Sequence, residues 1–180
     1  MTTYLVLFRG INVGGRNKVP MAAVREHLEA DFTNVRTYIQ SGNVVLDSDL
    51  TADEVAAHVD AGLPSAFALD SELVRVLVLD ADAYREVVAA APKGFGAEPD
   101  VYRYDVVLYM GVTADEVEPF IVINPEVDEV LIGERAVYHR RITALATRSR
   151  LNKIIGSPVY PSLTIRNWNT TLKLAAMLDE

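Results

Sequence analysis

The chain has 180 residues, half of them hydrophobic, a length that suits one compact domain or two small ones. It contains no cysteine, which excludes disulfides and cysteine metal sites, and no apolar run near the ~18 residues of a membrane span. The net charge of −8 argues against general attraction to nucleic acid or anionic lipid. Because the first residues run directly into a strand, we expect no signal peptide and a cytoplasmic protein.

Hydrophobic periodicity and turn residues divide the first half of the chain into six elements. They predict strands over residues 4–9, 35–40, 43–47 and 73–79, and helices over 20–30 and 51–67. Pro20 suits a first helical position, and Thr51 with Glu54 three residues later forms a capping box. Ser41 and Gly42, between the second and third strands, are typical of a hairpin. The predicted order is β-α-β-β-α-β.

The same order is predicted again in the second half of the chain. Strands are expected over residues 105–110, 129–132, 136–140 and 162–165, and helices over 113–120, 149–155 and 167–178. Gly133-Glu134 suits a type II′ hairpin, which has glycine in its first central position. A helix over 82–91 and a Pro- and Gly-containing connector over 92–100 separate the two cycles.

A β-α-β-β-α-β unit closes most readily as a split β-α-β with an antiparallel sheet, the ferredoxin-like arrangement. We therefore predict an α+β protein made of two ferredoxin-like halves, with helices on one face of each sheet. The predicted division is residues 1–81, a linking helix and connector over 82–103, and residues 104–180 including the final helix.

The loop at residues 9–18 (RGINVGGRNK) is the most informative segment for function. Its glycines free the backbone to take positive φ, so several amides can point at one anion. The candidate ligand-binding residues here are Arg9, Gly10, Asn12, Gly14, Gly15, Arg16 and Lys18. The glycine spacing matches a P-loop, but Arg16 and Asn17 replace its lysine and its magnesium-binding hydroxyl, which argues against a nucleotide hydrolase. The alternative is a well-ordered connection whose glycines only permit tight packing.

The carboxy-terminal part of the chain is unusually basic. Residues 134–180 contain eight of the 17 Lys and Arg residues and three of the 25 acidic residues, and no acidic residue lies between Arg135 and Leu178. Surface segments usually mix the two signs. These cations either pair with acids elsewhere in the fold or line a basic concavity for an anionic ligand.

The start of the last helix offers a second group of candidate ligand-binding residues. Asn167 suits the N-cap, Arg166 is a two-pronged anion donor, and Trp168 either stacks on a flat ligand or packs into the core. On the preceding predicted helix Ser149 and Lys153 share a face, and Lys153 either reaches a pocket or is an ordinary solvated lysine.

The remaining polar candidates carry a weaker signal. Ser41 and Asn43 of the hairpin are expected to supply neutral hydrogen bonds beside the first loop, or only to form the turn. His27, His58 and His139 fall in no metal-binding spacing and no triad-like context, so we expect no metal site and assign no catalytic residue.

Three motifs together resemble the DUF1697 family of uncharacterised bacterial proteins. They are residues 8–15 (FRGINVGG), 37–44 (TYIQSGNV) and 164–170 (TIRNWNT), and the basic segment 149–153 (SRLNK) is also similar to the family pattern. The resemblance extends over essentially the whole chain. It implies the same two-part α+β fold of ferredoxin-like halves, and it implies no activity.

Three functional hypotheses follow, and the sequence leaves the cofactor, the reaction and the oligomeric state open. The first is a protein that binds a small anionic ligand, a phosphate-bearing metabolite or nucleotide, between the first loop and the basic carboxy-terminal region. The second is an RNA- or DNA-binding module that uses residues 135–166, where Tyr138, His139, Arg140 and Arg141 form a mixed aromatic and basic strand. The third is an oligomerisation or adaptor protein without a ligand.

Overall fold

Eight strands form two four-stranded antiparallel sheets in the computed structural model, which describes residues 1–70 and 74–180. The predicted α+β class is confirmed. Two compact units divide the chain: Met1–Arg85 with Lys173–Glu180, and Glu86–Leu172. This division gives residues of the third and fifth α-helices to both units, whereas the sequence prediction used boundaries at residues 81 and 104.

The first unit carries the predicted β-α-β-β-α-β order. Its elements are β1 Thr2–Arg9, α1 Met21–Leu28, β2 Thr33–Tyr38, β3 Asn43–Ser48, α2 Ala52–Ala66 and β4 Arg75–Asp80. The sheet order is β2-β3-β1-β4, and Val6 of β1 faces Val44 on one side and Val78 on the other. The predicted beginning of β4 at Leu73 lies outside the described residues.

The core of the first unit follows from the alternation of side chains along each strand. Tyr4, Val6 and Phe8 point to one face of β1 and belong to the same buried cluster as Val24 of α1 and Val59 of α2. The predicted capping box begins α2, because the Glu54 amide donates to Thr51 Oγ1 and the Thr51 amide donates to Glu54 Oε2. These contacts fix both helices against one face of the sheet.

The second unit repeats the strand order with different connections. Its strands are β5 Tyr102–Tyr109, β6 Asp128–Ile132, β7 Ala136–Ile142 and β8 Leu163–Asn167, in the sheet order β6-β7-β5-β8. The α-helices α3 Ala81–Ala89, α4 Ala114–Val117 and α5 Trp168–Leu178 complete the chain, with 3-10 helices at Glu118–Phe120, Thr143–Arg148, Leu151–Gly156 and Tyr160–Ser162.

The predicted α-helix over residues 149–155 is wrong. The structure has a 3-10 helix over Leu151–Gly156, and Ser149 precedes it, so Ser149 and Lys153 do not share an α-helical face. The Lys153 amide donates to the Arg150 carbonyl three residues earlier at 3.0 Å, which is the 3-10 spacing, and the Arg150 amide donates to the side chain of Asp128 at 2.9 Å. Gly156 and Pro158 then end the segment.

The predicted type II′ turn between β6 and β7 is also wrong, although the hairpin itself is present. The Gly133 amide donates to the Ala136 carbonyl at 2.9 Å, so Glu134 and Arg135 are the central residues of the turn. Gly133 is not in the left-handed region that a type II′ turn requires of its glycine. A Cβ at Gly133 would lie 3.1 Å from the Tyr138 ring and from the Ala136 carbonyl oxygen, so a larger residue there would require one of them to shift. Among the described residues, every helix is too short or too polar to cross a bilayer.

Alanine substitutions at Gly42 and Gly94 distinguish the cost of backbone strain from the cost of steric overlap. Both glycines have φ near +75°, so the strain is the same at the two positions. A Cβ on Gly42 would lie 2.7 Å from Phe8 Cβ, whereas a Cβ on Gly94 would meet nothing within 4 Å. We expect Gly94→Ala to lower the free energy of unfolding by about 1 kcal/mol through strain alone, and Gly42→Ala to lower it by at least about 2 kcal/mol. Urea denaturation measures both, and equal effects would contradict the steric argument.

Candidate functional site

The glycine-rich loop folds back on itself as a small hairpin, here called the finger (residues 12–17). The Asn12 amide donates to the Asn17 carbonyl and the Arg16 amide to the Val13 carbonyl, both at 3.0 Å. Gly14 and Gly15 have φ of 57° and 78°, which suits a type I′ turn at the tip. Val13, 63% exposed, stands at this tip. The finger therefore projects as a β-turn and does not wrap a phosphate as a P-loop does.

Two asparagine side chains hold the finger in place. Asn12 Nδ2 donates to the carbonyls of Val19 and Gln40, and Asn12 Oδ1 accepts from the Val19 amide. Asn17 Nδ2 donates to the Gly10 carbonyl, and Asn17 Oδ1 accepts from the Asp70 amide. The predicted ligand-binding residue Asn12 thus has a structural role, since its amide bonds to the chain itself.

A cavity of about 460 Å³, the finger cavity, lies beside the finger in the first unit. It is lined by Asn12, Gly15, Lys18, Val19, Pro20 and Gln40. No carboxylate occurs in this lining, and within residues 1–70 and 74–180 neither Lys18 nor Arg16 forms an ion pair. Both cations are exposed, whereas Arg9 is half-buried. A lysine, a glycine backbone and a nearby arginine are groups that bind anions.

The predicted hydrogen-bonding residues of the β2–β3 connection serve that connection. Asn43 is fully buried, and its Nδ2 donates to the Tyr38 carbonyl and to Ser41 Oγ, each at 3.0 Å. Ser41 is exposed. The turn-forming interpretation of these two residues therefore has direct support from their contacts.

The second unit contains a cavity of about 400 Å³, here called the Trp168 cleft. Its lining includes Arg103, Asp105, Arg141, Asn167, Trp168 and Asn169. The lining combines the candidate residues Asn167 and Trp168 with Arg141, which the nucleic-acid hypothesis names, and with Arg103 and Asp105, which sequence reasoning missed. Asn167 is the N-cap of α5, because its Oδ1 accepts from the Thr170 amide at 2.9 Å.

Trp168 is partly packed by the connector that precedes β5. The Phe95 ring meets the indole edge-on with centroids 5.0 Å apart. Gly96 has φ of +87° and lies so close that a Cβ would be 2.3 Å from the indole Cδ1. Trp168 is half-buried, and its remaining surface lines the cleft.

The other carboxy-terminal candidates lie elsewhere in the second unit. Arg166 is buried, and its guanidinium donates to Thr164 Oγ1 at 2.9 Å and to the Ile165 carbonyl at 2.8 Å. Lys153 is exposed and Ser149 is buried. None of these three residues belongs to the described lining of the Trp168 cleft.

Most cations of the acid-free segment pair with acids elsewhere in the fold. The ion pairs are Arg135–Glu86, Arg140–Glu129, Arg141–Asp105, Arg148–Glu126 and Lys173–Glu180. This favours charge pairing over a continuous basic concavity as the explanation of the sequence bias.

The contacts of β7 also argue against the nucleic-acid hypothesis. Phe95 packs edge-on against Tyr104 and Tyr138, which are almost fully buried. Arg140 makes two hydrogen bonds to Glu129 and lies over the Tyr102 ring at 4.3 Å. The rings and the guanidinium that would contact bases are therefore engaged within the unit.

A buried histidine–carboxylate pair lies on the face of the second sheet opposite to Tyr104 and Tyr138. His139 Nε2 is 3.0 Å from Asp128 Oδ1, and both side chains are at most 1% exposed. Burial lowers the pKa of the His139 imidazole, against the opposing effect of Asp128. Burial alone would raise the pKa of Asp128, but hydrogen bonds, among them those from the Asn124 and Arg150 amides, hold this pKa at about 2. At neutral pH the pair is therefore a carboxylate with a neutral imidazole that donates from Nε2.

Sequence reasoning missed this pair because it treated each histidine alone. The register of the β6–β7 hairpin contained the signal: Val130 faces His139 and Asp128 faces Arg141. Residues two apart on a strand share a face, so Asp128 lies diagonally beside His139. Outside residues 71–73, no group of three or more metal-ligating side chains is present.

The His139 pKa predicts how stability responds to acid. Because this pKa is lower in the folded protein than its ordinary value of 6.5, the unfolded chain takes up the proton first as the pH falls. We expect the free energy of unfolding to decrease by about 1 kcal/mol between pH 7 and pH 5.5. Urea denaturation at several pH values measures this. His139→Gln should remove most of the decrease, and a variant that keeps it would contradict the assignment. His58→Gln is the control: His58 is exposed and contacts Asp31 at 3.0 Å, and because loss of this contact can only deepen the decrease in acid, the variant should not remove it.

Comparison with known proteins agrees with the predicted family. The model of DUF1697, a protein family of unknown function, matches residues 1–138. A solved structure, that of conserved bacterial protein SP0830 from Streptococcus pneumoniae, superposes with a TM-score of 0.84 at 24% identity. The alignment covers 100% of this chain and 99% of that one. At this identity the likeness shows a shared fold. No curated protein matches the chain.

Proposed function

We propose that this chain, which belongs to the DUF1697 family of proteins of unknown function, binds a small phosphate-bearing ligand at the finger cavity. The observation that carries this proposal is that the positive charges of Arg16 and Lys18 are not balanced by a described acidic partner. In a chain of net charge −8, Lys18 lines the cavity and Arg16 directly follows the lining residue Gly15, and neither cation has an acidic partner in the described structure. Unbalanced positive charge at a concave site attracts anions.

The chemistry of the finger suits an oxyanion such as phosphate. Lys18 supplies a compact charge that phosphate accepts from many directions, and Arg16 supplies a two-pronged donor. Gly15 has no side chain, so a ligand can approach the backbone closely. No acid, base or nucleophile with a catalytic arrangement lines the described cavity, so the proposed function is binding and no reaction is assigned.

The broader hypothesis of one site shared by the loop and the basic carboxy-terminal elements stays a prediction. It joins residues of the first unit with Ser149, Lys153 and 166–168 of the second. The finger cavity is the part of that hypothesis supported by a defined lining and by cations that have no acidic partner among the described residues.

We also infer that the two halves are ferredoxin-like. Both sheets have the same antiparallel order, in which the first and third strands of each half are central. This is the arrangement expected when a β-α-β-β-α-β unit closes as a split β-α-β. In the second half 3-10 helices replace the second crossover α-helix, so that half departs from the regular pattern.

Titration calorimetry with inorganic phosphate at low ionic strength tests the finger cavity. We expect saturable binding that weakens with added salt, and an affinity at least about tenfold lower in Arg16→Gln/Lys18→Gln, because two charge-assisted contacts are lost. Arg25→Gln is the control, since Arg25 is exposed in the same unit, pairs with Glu29 and does not line the cavity. Absence of phosphate binding, or equal affinity in the double variant, would refute the proposal.

A further inference from the structure

Two arginines lie directly opposite each other in the second sheet. Arg103 of β5 and Arg141 of β7 are register partners, so their side chains leave the same face with Cβ atoms about 5 Å apart. Like charges in this position repel each other and destabilise an antiparallel pair. The sheet therefore contains an electrostatic conflict beside the Trp168 cleft, which both arginines line.

The neighbouring carboxylates only partly relieve this repulsion. Asp105 Oδ2 is 3.6 Å from Arg141 Nη2, longer than a hydrogen bond. Asp128 is the register partner of Arg141 on its other side, but its oxygens accept from Asn124, Arg150 and His139. Arg103 is exposed and forms no ion pair in the part of the chain that the structure describes.

The cleft joins these two guanidinium groups to an aromatic surface. Trp168 lines the same cavity, with part of its indole held by the connector through Phe95 and Gly96. At about 400 Å³ the cavity is within the range of small-molecule sites, roughly 300–1,000 Å³. Paired arginines bind phosphate oxygens bidentately, and an indole face stacks on flat rings.

We propose that the Trp168 cleft binds a phosphate monoester that carries a flat ring. The phosphate lies between Arg103 and Arg141 and cancels their repulsion, and the ring lies against Trp168. Asp105 keeps Arg141 turned toward the cleft. This site uses residues of the second unit alone, so a failure of phosphate binding at the finger cavity would not contradict it.

Trp168 is the only tryptophan of the chain, so its fluorescence reports on this cleft alone. Titration with adenosine monophosphate should change the emission saturably. Adenosine should produce no saturable change in the same range, and inorganic phosphate should bind at least tenfold more weakly than the nucleotide. Phosphate binding as tight as that of the nucleotide would overturn the proposal, as would no change of emission with the nucleotide at millimolar concentration.

The exposed arginine provides the decisive variant. Arg103→Gln should weaken binding of adenosine monophosphate at least tenfold and, without ligand, should raise the melting temperature because the repulsion is removed. Arg150→Gln is the matched control: Arg150 is exposed in the same unit, its side chain does not line the cleft, and both measurements should stay at the wild-type values. Unchanged affinity in Arg103→Gln, or a lower melting temperature of that variant without ligand, would refute the arrangement.

Discussion

Hydrogen bonding to the buried carboxylate of Asp128 is the interaction on which the second unit depends most. It accepts hydrogen bonds from the amides of Asn124 and Arg150 and from His139, so one buried charge ties together the approach to β6, the segment after β7 and β7 itself. A buried charge is tolerated only when it is fully hydrogen-bonded. The same contacts hold the Arg150 amide at the start of the 3-10 segment and occupy the carboxylate that is the register partner of Arg141, so that Arg141 pairs with Asp105 at 3.6 Å. The local chain path and the charge distribution at the Trp168 cleft therefore share one cause.

In the first unit, side-chain amides have the corresponding role. Asn12 and Asn17 adopt positive φ, which asparagine tolerates better than most residues, and their amides bond to the backbone of the finger and its neighbours. Much of the motif that resembles an anion-binding loop is thus structural. What remains for a ligand are the cations Arg16 and Lys18 and the glycine backbone at the tip. Residues that build the loop and residues of the proposed binding site are interleaved within ten positions.

The two proposed sites differ in the kind of evidence that supports them. At the finger cavity the charge has no described counterion, whereas at the Trp168 cleft the sheet register forces two like charges together. Val107 and Val137 are register partners in a buried cluster on the same face as the two arginines. The pairing that packs these valines together also sets Arg103 opposite Arg141.

The sequence by itself determined the order of the strands and of most helices, the α+β class, the family, and local features such as the Thr51 capping box and the Asn167 cap. These depend on periodicity and on contacts within a few residues, which a linear pattern contains. Only the tertiary structure decided which cations of the basic segment find acids, that Asp128 lies beside His139, and that Arg103 and Arg141 share the cleft with Trp168. Those contacts join residues that are distant in sequence. They are set by strand register and by bonds such as that from the Arg150 amide to Asp128, which no local propensity encodes.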